Sequence, residues 1–179
     1  MFNRVMTKDN VAVMVLLEDV KTGSRAVVAN SHIHSNPAFA DVKLVQVGLL
    51  LEEVEGFTSK HASTNIPTVI CGDFNSTPDS GVYEFLTKGS IKQGHSDFGQ
   101  HVYGHYTTKG LSHNLASLKS AYATIGELPF TNYTPRFKGV LDYIWYTADT
   151  LDTASVLGPI DQDYLDKIVG FPNPHFPSE

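Results

Sequence analysis

Short apolar runs separated by turn signals dominate the first third of the chain. Residues 11–17 and 25–30 are rich in β-branched side chains and predict two strands. The Thr-Gly-Ser sequence at 22–24 lies between them and is typical of the turn in an antiparallel hairpin. The sequence SHIHSNPAF, residues 31–39, predicts a loop after the second strand.

The apolar spacing then changes to three and four residues, which predicts a helix over 41–54. The recurring apolar residues are Val42, Val45, Leu49 and Leu50. Asp41 is placed to cap the start of this helix, and Gly56 is placed to end it. Residues 58–65 predict a polar connection, and 68–71 predict a buried strand.

A short helix is expected at 79–86, after a Ser-Thr-Pro turn. Residues 89–129 are rich in Gly, His, Ser and Thr, and predict long loops with at most a short helix near 115–122. Further strands are expected at 130–133, 139–146 and 153–157. These elements predict an α+β fold in which helices pack on a sheet.

No internal repeat or linker divides the chain, so residues 1–179 are expected to form a single domain. Of its residues, 41% are hydrophobic and 18% are charged, the balance of a folded globular protein. No apolar run approaches the ~20 residues of a membrane span, so no membrane partner is expected. Three prolines in the closing GFPNPHFPSE indicate a loop instead of a closing element, which favours a partial domain.

Cysteine content and net charge narrow the function classes only slightly. The single cysteine, Cys71, excludes an internal disulfide and a Cys-based zinc site, favours a reducing compartment, and is expected to be a small buried side chain. A net charge of −6 argues against nucleic-acid binding by phosphate neutralisation alone. Bound cations reverse the local sign in metal-dependent nucleases, so the charge leaves nucleic acid open as a partner.

Asp73 and Asn75 stand two residues apart in GDFNSTP, directly after the strand predicted at 68–71. Their side chains project to the same face if the extended geometry continues. The alternative is that both residues only cap a turn. Gly72 before them favours a functional role, because glycine lets the backbone lie close to another group.

His32, His34 and Asp142 are the other candidates. The two histidines could ligate a metal or could form an ordinary hydrogen-bonded loop edge; the absence of HExxH and of Cys partners argues against a structural zinc. Asp142 lies inside the apolar run FKGVLDYIWY, so a buried carboxylate is expected there, which is paired, hydrogen-bonded or bound to metal. Asp73, Asn75, Asp142 and His32 together suit Mg²⁺, whose remaining ligands could be phosphate oxygens.

Three segments resemble the exonuclease–endonuclease–phosphatase superfamily. They are ANSHIHSNPAFADVKLVQ, VICGDFNSTPDSGVYEFL and YTPRFKGVLDYIWYT, in this order. Within the superfamily the chain is most similar to the family of catalytic deadenylase subunits of the carbon-catabolite-repression/NOT complex. The resemblance extends over essentially all of the chain and implies part of a two-sheet α/β sandwich with the active site at one rim.

The resemblance also implies an activity: a Mg²⁺-dependent 3′ to 5′ exoribonuclease with two ions, which shortens poly(A) tails and releases AMP. Asp73 would orient or deprotonate the attacking water, and Asn75 would help hold the scissile phosphate. Asp142, together with Asp73, would bind metal, and His32 would donate to the phosphate. Pro37 and Phe137 would sandwich an adenine, although a loop-shaping proline and a core aromatic are the alternatives. The implied partners are RNA and the scaffold subunits of the complex, in the cytoplasm with the nucleus as a second compartment.

The family pattern extends beyond both ends of this chain. An Asn and a metal-binding Glu precede it in relatives, so the chain is expected to be the C-terminal portion of the domain. The family's closing Ser-Asp-His motif is matched by Ser178, Glu179 stands where Asp is usual, and His175 lies five residues too early. Ser35 occupies a position that is often Trp. Three alternatives stay open: a deadenylase, a superfamily endonuclease or phosphoesterase with another substrate, and an inactive fragment or binding module.

Overall fold

The computed structural model describes residues 2–61, 65–115 and 117–176. Its helices in these ranges are α1 Ala40–His61, α2 Gly81–Lys88, α3 His105–Thr108 and α4 Gln162–Leu165, with shorter helical turns at Phe2–Met6, Ser96–Phe98 and Ala123–Ile125. Its strands there are β1 Ala12–Glu18, β2 Arg25–His32, β3 Thr68–Asp73, β4 Ser90–Ile91, β5 Leu111–Ser112, β6 Leu118–Ser120, β7 Asn132–Thr134, β8 Phe137–Gly139 and β9 Asp142–Thr147. None of the described helices is long and apolar enough to cross a membrane.

Five strands form one mixed sheet in the order β1-β2-β3-β9-β6. β1 and β2 are antiparallel, which confirms the predicted hairpin. β2 and β3 are parallel and are connected through α1, whereas β9 runs antiparallel to both β3 and β6. Two small two-stranded sheets, β4-β5 and β7-β8, lie outside it. The parallel pair brings the carboxyl ends of β2 and β3 to the same edge, which is where the candidate residues lie.

One face of the five-stranded sheet, called here the covered face, packs against α1 and α2. Its strands contribute Ala29, Ile70 and Trp145 to a single buried cluster that also includes the apolar residues of both helices. The segment between α2 and β6 lies on the outer side of α1, where the side chain of Leu111 packs 3.1 Å from the position a Cβ would take on Gly48. α1 is therefore enclosed between two layers.

The opposite face, called here the open face, is apolar and exposed. Val13, Leu17 and Ile144 are 61%, 53% and 46% exposed on it. Cys71 lies on this face in register with Ile144 and is only half-buried, so the expectation of a fully buried cysteine is wrong. The strand alternation places Cys71 opposite the core, since Ile70 before it is completely buried.

The structure corrects the predicted ends of α1. Asp41 lies within the helix, buried, where Arg4 Nε donates to it at 2.6 Å and the Tyr103 hydroxyl also donates to it, so it is not an exposed cap. The helix also continues past Gly56 to His61. A single glycine costs a helix only about 1 kcal/mol, so it does not by itself end one. Of the polar connection predicted at 58–65, residues 62–64 lie outside the described residues.

Two other predictions are wrong. The short helix expected near 115–122 is instead strand β6, which pairs with β9. The strand expected at 153–157 is absent from the structure, which shows that segment without regular secondary structure. The predicted long loops of 89–129 contain α3 and several buried residues that pack on α1: Ile91, Phe98, Tyr103, Tyr106 and Leu111. These apolar side chains form the outer layer although they follow no regular spacing in the sequence.

Candidate active site

Three candidate side chains form a row across neighbouring strands at one end of the open face. His32 on β2 is in register with Asp73 on β3, and Asp73 is in register with Asp142 on β9. Residues in register share a face of the sheet. His32 Nε2 lies 3.4 Å from Asp73 Oδ2, and the His32 side chain is 69% exposed. The sheet register therefore brings together an accessible imidazole and two carboxylates.

Gly72 permits the close approach of β2 and β3 beside this row. Its φ is +134°, and a Cβ at this position would lie 2.0 Å from the carbonyl oxygen of Ser31. No side chain larger than hydrogen fits such a contact with backbone. The predicted close approach at Gly72 is therefore confirmed, and the group it approaches is the neighbouring strand.

Asp73 and Asn75 are joined by a tight turn and not by a continued strand. β3 ends at Asp73, and Asn75 has a left-handed φ of +47°. The Asn75 backbone N–H donates to Asp73 Oδ1 at 2.7 Å, and Asn75 Nδ2 donates to the Ile33 carbonyl at 2.9 Å. The expectation that strand alternation aligns the two side chains is wrong. The turn-capping contact that was the alternative is present, because the Asp73 carboxylate accepts the Asn75 backbone N–H while the Asn75 side chain is directed to Ile33.

Asp142 is exposed and not buried, which corrects the expectation from its apolar neighbours. It is the first residue of β9, where the Thr131 hydroxyl donates to its Oδ2 at 2.6 Å. The Thr131 hydroxyl oxygen in turn accepts the backbone N–H of Asp142 at 3.0 Å. This reciprocal contact fixes the carboxylate next to Asp73 and leaves it accessible to a ligand.

The three predicted substrate contacts, Pro37, Asn75 and Phe137, line a single groove of about 450 Å³ at the carboxyl ends of β2 and β3. Phe137 is 39% exposed, so it is not a core aromatic. Its ring lies over Gly139, where a Cβ would come within 2.8 Å of the ring. The remaining lining residues are mostly small or hydroxylated. An accessible ring beside an accessible proline suits the stacking of a planar group.

His34 has surroundings different from those of His32. Its ring packs edge-on against Phe39 at 5.2 Å between centroids, and its backbone N–H donates to Gln46 Oε1 at 3.0 Å. The pKa of His34 is lowered, and burial is the largest of the causes. These contacts favour the structural alternative for His34, because the strand that would align the two histidines ends at His32.

The row is chemically suited to a hard divalent cation. Asp73 and Asp142 are carboxylates directly opposite each other on adjacent strands, and like charges in that position repel unless a cation lies between them. Oxygen donors are the ligands that Mg²⁺ and Ca²⁺ prefer. Among the described residues no group of three or more His, Cys, Asp or Glu side chains is arranged to hold a metal. The two carboxylates can thus supply two protein ligands of such an ion, with other ligands needed to complete its shell.

Several contributors to the site were not anticipated from the sequence. Lys43 lies in the wall of the groove, Thr131 holds Asp142, and Asn10 Nδ2 donates to the His32 carbonyl at 2.8 Å. A signal existed for Lys43, since it interrupts the apolar run of a buried helix. Thr131 and Asn10 have no such signal, because each acts across a sequence separation of ten residues or more. Ser178 and Glu179 lie outside the described residues.

The sequence is similar to one protein family and to several named proteins. Residues 8–174 match the profile of the Endonuclease/Exonuclease/phosphatase family. The chain is 53% identical over 199 residues to the CCR4-Not complex 3′-5′-exoribonuclease subunit Ccr4 of Mycosarcoma maydis, covering 100% of this chain and 30% of that protein. It is 48% identical to the subunit of the same name from Schizosaccharomyces pombe, covering 100% and 29%. The chain thus spans about 30% of the length of these relatives.

Solved structures give the same fold. ANGEL2, described as a 2′,3′-cyclic phosphatase, aligns with a TM-score of 0.65 at 26% identity, covering 80% of this chain and 51% of that one. The human Nocturnin catalytic domain aligns with a TM-score of 0.54 at 25% identity, covering 79% and 42%. These similarities confirm the predicted fold class, an α+β fold of the exonuclease–endonuclease–phosphatase type. The chain belongs to the endonuclease/exonuclease/phosphatase family.

Proposed function

We propose that this chain supplies part of the active site of a metal-dependent 3′ to 5′ exoribonuclease that shortens poly(A) tails and releases AMP. The observation that carries the proposal is the row His32–Asp73–Asp142, which is in register across three strands beside a groove containing Pro37 and Phe137. Phosphodiester hydrolysis needs an activated water and stabilisation of developing charge, and this row contains groups suited to both. The 53% identity to a 3′-5′-exoribonuclease subunit supports the choice of RNA as substrate.

Each side chain has a proposed role that its position supports. Asp73 orients or deprotonates the attacking water, with its Oδ1 held by the Asn75 N–H. Asn75 lies where the groove meets the row and contacts the scissile phosphate. His32, largely exposed, donates a hydrogen bond to the phosphate and stabilises its charge in the transition state. Pro37 and Phe137 hold the terminal adenine between them.

The proposed cofactor is Mg²⁺, with two ions in the intact site. Asp142 and Asp73 would hold it, and both are carboxylates on the accessible end of the open face. When bound, the metal would polarise the phosphate and favour the ionised form of a bound water. We further propose that the protein acts with scaffold subunits of a deadenylase complex, in the cytoplasm and in the nucleus. Relatives described as subunits of the CCR4-Not complex support the part of this proposal that concerns scaffold subunits.

The test is hydrolysis of 5′-labelled oligo(A) by the full-length protein in the presence of Mg²⁺. Asp73→Ala should lower kcat by about 10²–10³-fold, whereas Asp149→Ala, an exposed carboxylate in the turn after β9, serves as the matched control and should have no effect. Phe137→Ala should raise KM for oligo(A) by about tenfold or more, because stacking of one base contributes about 1–3 kcal/mol. Hydrolysis by Asp73→Ala at the rate of the control would refute the proposal.

A second candidate function is phosphate-ester hydrolysis on another RNA end. The observation in its favour is the similarity to ANGEL2, described as a 2′,3′-cyclic phosphatase. The two functions are separated by comparing oligo(A), a mixed-sequence RNA of the same length, and an RNA ending in a 2′,3′-cyclic phosphate. Preferential AMP release from oligo(A) supports the exoribonuclease. Equal rates on all sequences would contradict adenine stacking, and preferential opening of the cyclic phosphate would favour the alternative.

A further inference from the structure

A buried lysine lies behind the turn that joins Asp73 to Asn75. Lys43 is on the first turns of α1, between Val42 and Leu44, and is only 7% exposed. Lys43 is also one of the residues that line the substrate groove. Removing an ammonium group from water is costly unless other groups bind it. A lysine at this position therefore needs partners that compensate its burial.

The nearest partner of Lys43 is the backbone of Asn75. Lys43 Nζ donates a hydrogen bond to the Asn75 carbonyl oxygen. Two carboxylates, Asp73 and Asp97, lie close enough to favour the charged ammonium, although burial acts in the opposite direction and lowers the pKa of Lys43. Asp97 Oδ2 also accepts the Gly81 N–H at 2.8 Å, which fixes Asp97 against the start of α2. The hydrogen bond of the ammonium thus joins α1 to the turn that follows β3.

The backbone of Asn75 adopts a conformation that is uncommon outside glycine. Its left-handed φ of +47° is one that Asn tolerates better than most residues, and local hydrogen bonds stabilise it. The Asn75 N–H is held by Asp73 and its side-chain amide by the Ile33 carbonyl. The carbonyl is the third polar group of this residue, and Lys43 is the group that holds it.

We propose that Lys43 is a positioning residue: through its hydrogen bond to the Asn75 carbonyl it fixes the turn that orients Asp73 and Asn75 toward the substrate. The expected effect on turnover rests on the proposed function, whereas the expected effect on the conformation of the turn does not. A displacement of about 1 Å in a reacting group can cost about 10²-fold in rate. Loss of the Lys43 bond should therefore act mainly on kcat, because the ammonium is engaged by the backbone carbonyl of Asn75 and acts through the turn.

The first experiment measures the turn itself. Hydrogen–deuterium exchange at the Asn75 amide is followed by mass spectrometry of the full-length protein, in Lys43→Met, Lys43→Arg and Lys60→Met. Lys60 is an exposed lysine on the same helix and provides the matched control. Lys43→Met should exchange about tenfold faster, Lys43→Arg should stay near the unchanged protein because its guanidinium can still donate, and Lys60→Met should show no change. If Lys43→Met does not fold, Lys43→Gln takes its place.

The second experiment measures turnover of oligo(A). Lys43→Met should lower kcat by about 10–100-fold with KM within about threefold, and Lys43→Arg should recover most of the loss. In an Asp73→Ala background, which lacks the carboxylate that the turn orients, the same substitution should cost much less. A residue that only stabilised the fold would give additive losses.

Each outcome bears on the proposal. Unchanged Asn75 exchange in Lys43→Met would overturn it. Faster exchange with unchanged kcat would overturn the catalytic consequence alone, and a rise in KM without a fall in kcat would identify Lys43 as a direct substrate contact instead. If the unchanged protein does not hydrolyse oligo(A), the proposed function fails, and the exchange experiment still decides the role of Lys43 in the turn.

Discussion

The two faces of the five-stranded sheet are made by the same strands and are both apolar, but more of the open face is exposed. Trp145 on the covered face is fully buried beneath the helices, whereas its neighbour Ile144 on the open face is 46% exposed. Strands that are apolar on both faces are typical of sheets with a layer on each side. The composition of a strand thus shows how much surface is suited to burial, and the described residues show which part of it is buried.

The row of candidate residues belongs to the open face. His32, Asp73 and Asp142 continue the same face as Val13 and Ile144, at the end where the groove begins. The row of charged candidates therefore lies on the open face, whereas the main buried cluster lies on the covered face. Substitutions on the two faces should have separable effects.

The largest effect is expected for a neighbouring pair on β9. Trp145→Ala removes a fully buried side chain and should lower the free energy of unfolding by about 3–5 kcal/mol. Ile144→Ala, one residue away on the open face, should cost less than about 1 kcal/mol, because much of its side chain stays in contact with water when the chain folds. Urea unfolding followed by far-UV circular dichroism measures both. Equal losses would contradict the distinction between the two faces.

The next effect is expected at Gly72, on which the alignment of β2 with β3 depends. Gly72→Ala should cost about 2–4 kcal/mol, because the new Cβ meets the Ser31 carbonyl and the positive φ is strained for alanine. Gly56→Ala is the matched control, since Gly56 lies within α1 with open space around it, and it should stabilise the protein by about 0.5–1 kcal/mol. Thermal unfolding of both variants gives the comparison. A neutral Gly72→Ala would show that the two strands can separate locally without loss.

A smaller effect on stability, which depends on pH, is expected at His113. His113 packs edge-on against Phe85 at 5.3 Å between centroids, and burial lowers the pKa of His113 despite the opposing influence of Glu55. The folded state therefore takes up this proton less readily than the unfolded state, whose histidine pKa is about 6.5. The stability that the neutral His113 side chain contributes is fully present above about pH 6.5. It is lost as the pH falls below that value, by at most about 1.4 kcal/mol per pH unit.

Unfolding in urea between pH 7.5 and 5 tests this expectation. His113→Asn should flatten the pH dependence, whereas His61→Asn, on the exposed end of α1, serves as a surface control. A pH dependence as steep in His113→Asn as in the unchanged protein would contradict the assignment.

The elements predicted well from the sequence are those whose apolar pattern is local. The β1–β2 hairpin, the start of β3 and the core-facing side of α1 follow from periods of two and three to four residues. β6 could not be predicted in this way, because Leu118–Ser120 becomes a strand only by pairing with β9, about 25 residues later in the chain. The continuation of α1 beyond Gly56 was missed for another reason, since one glycine costs a helix only about 1 kcal/mol and does not by itself end it.

The candidate site likewise has features that local sequence patterns predict and features that they do not. The residue types at His32, Asp73 and Asp142 were recognisable, and the resemblance to a family indicated their order. Their arrangement as one row depends on the register of three strands, which no local pattern specifies. The left-handed turn at Asn75 and the burial of Lys43 behind it are also tertiary effects. Sequence patterns therefore identified the chemical groups, and the sheet determined their geometry.

The smallest change in stability is expected on the open face. Val13→Thr combined with Ile144→Thr should alter the free energy of unfolding by less than about 0.5 kcal/mol per site, because both side chains are exposed and threonine retains strand propensity. Binding of the dye ANS and self-association in sedimentation velocity should both fall, because an exposed apolar patch drives them. Val27→Thr, fully buried on the covered face, is the matched control and should destabilise the protein without removing the patch. Unchanged dye binding in the double variant would mean that the apolar surface available to ligands lies elsewhere.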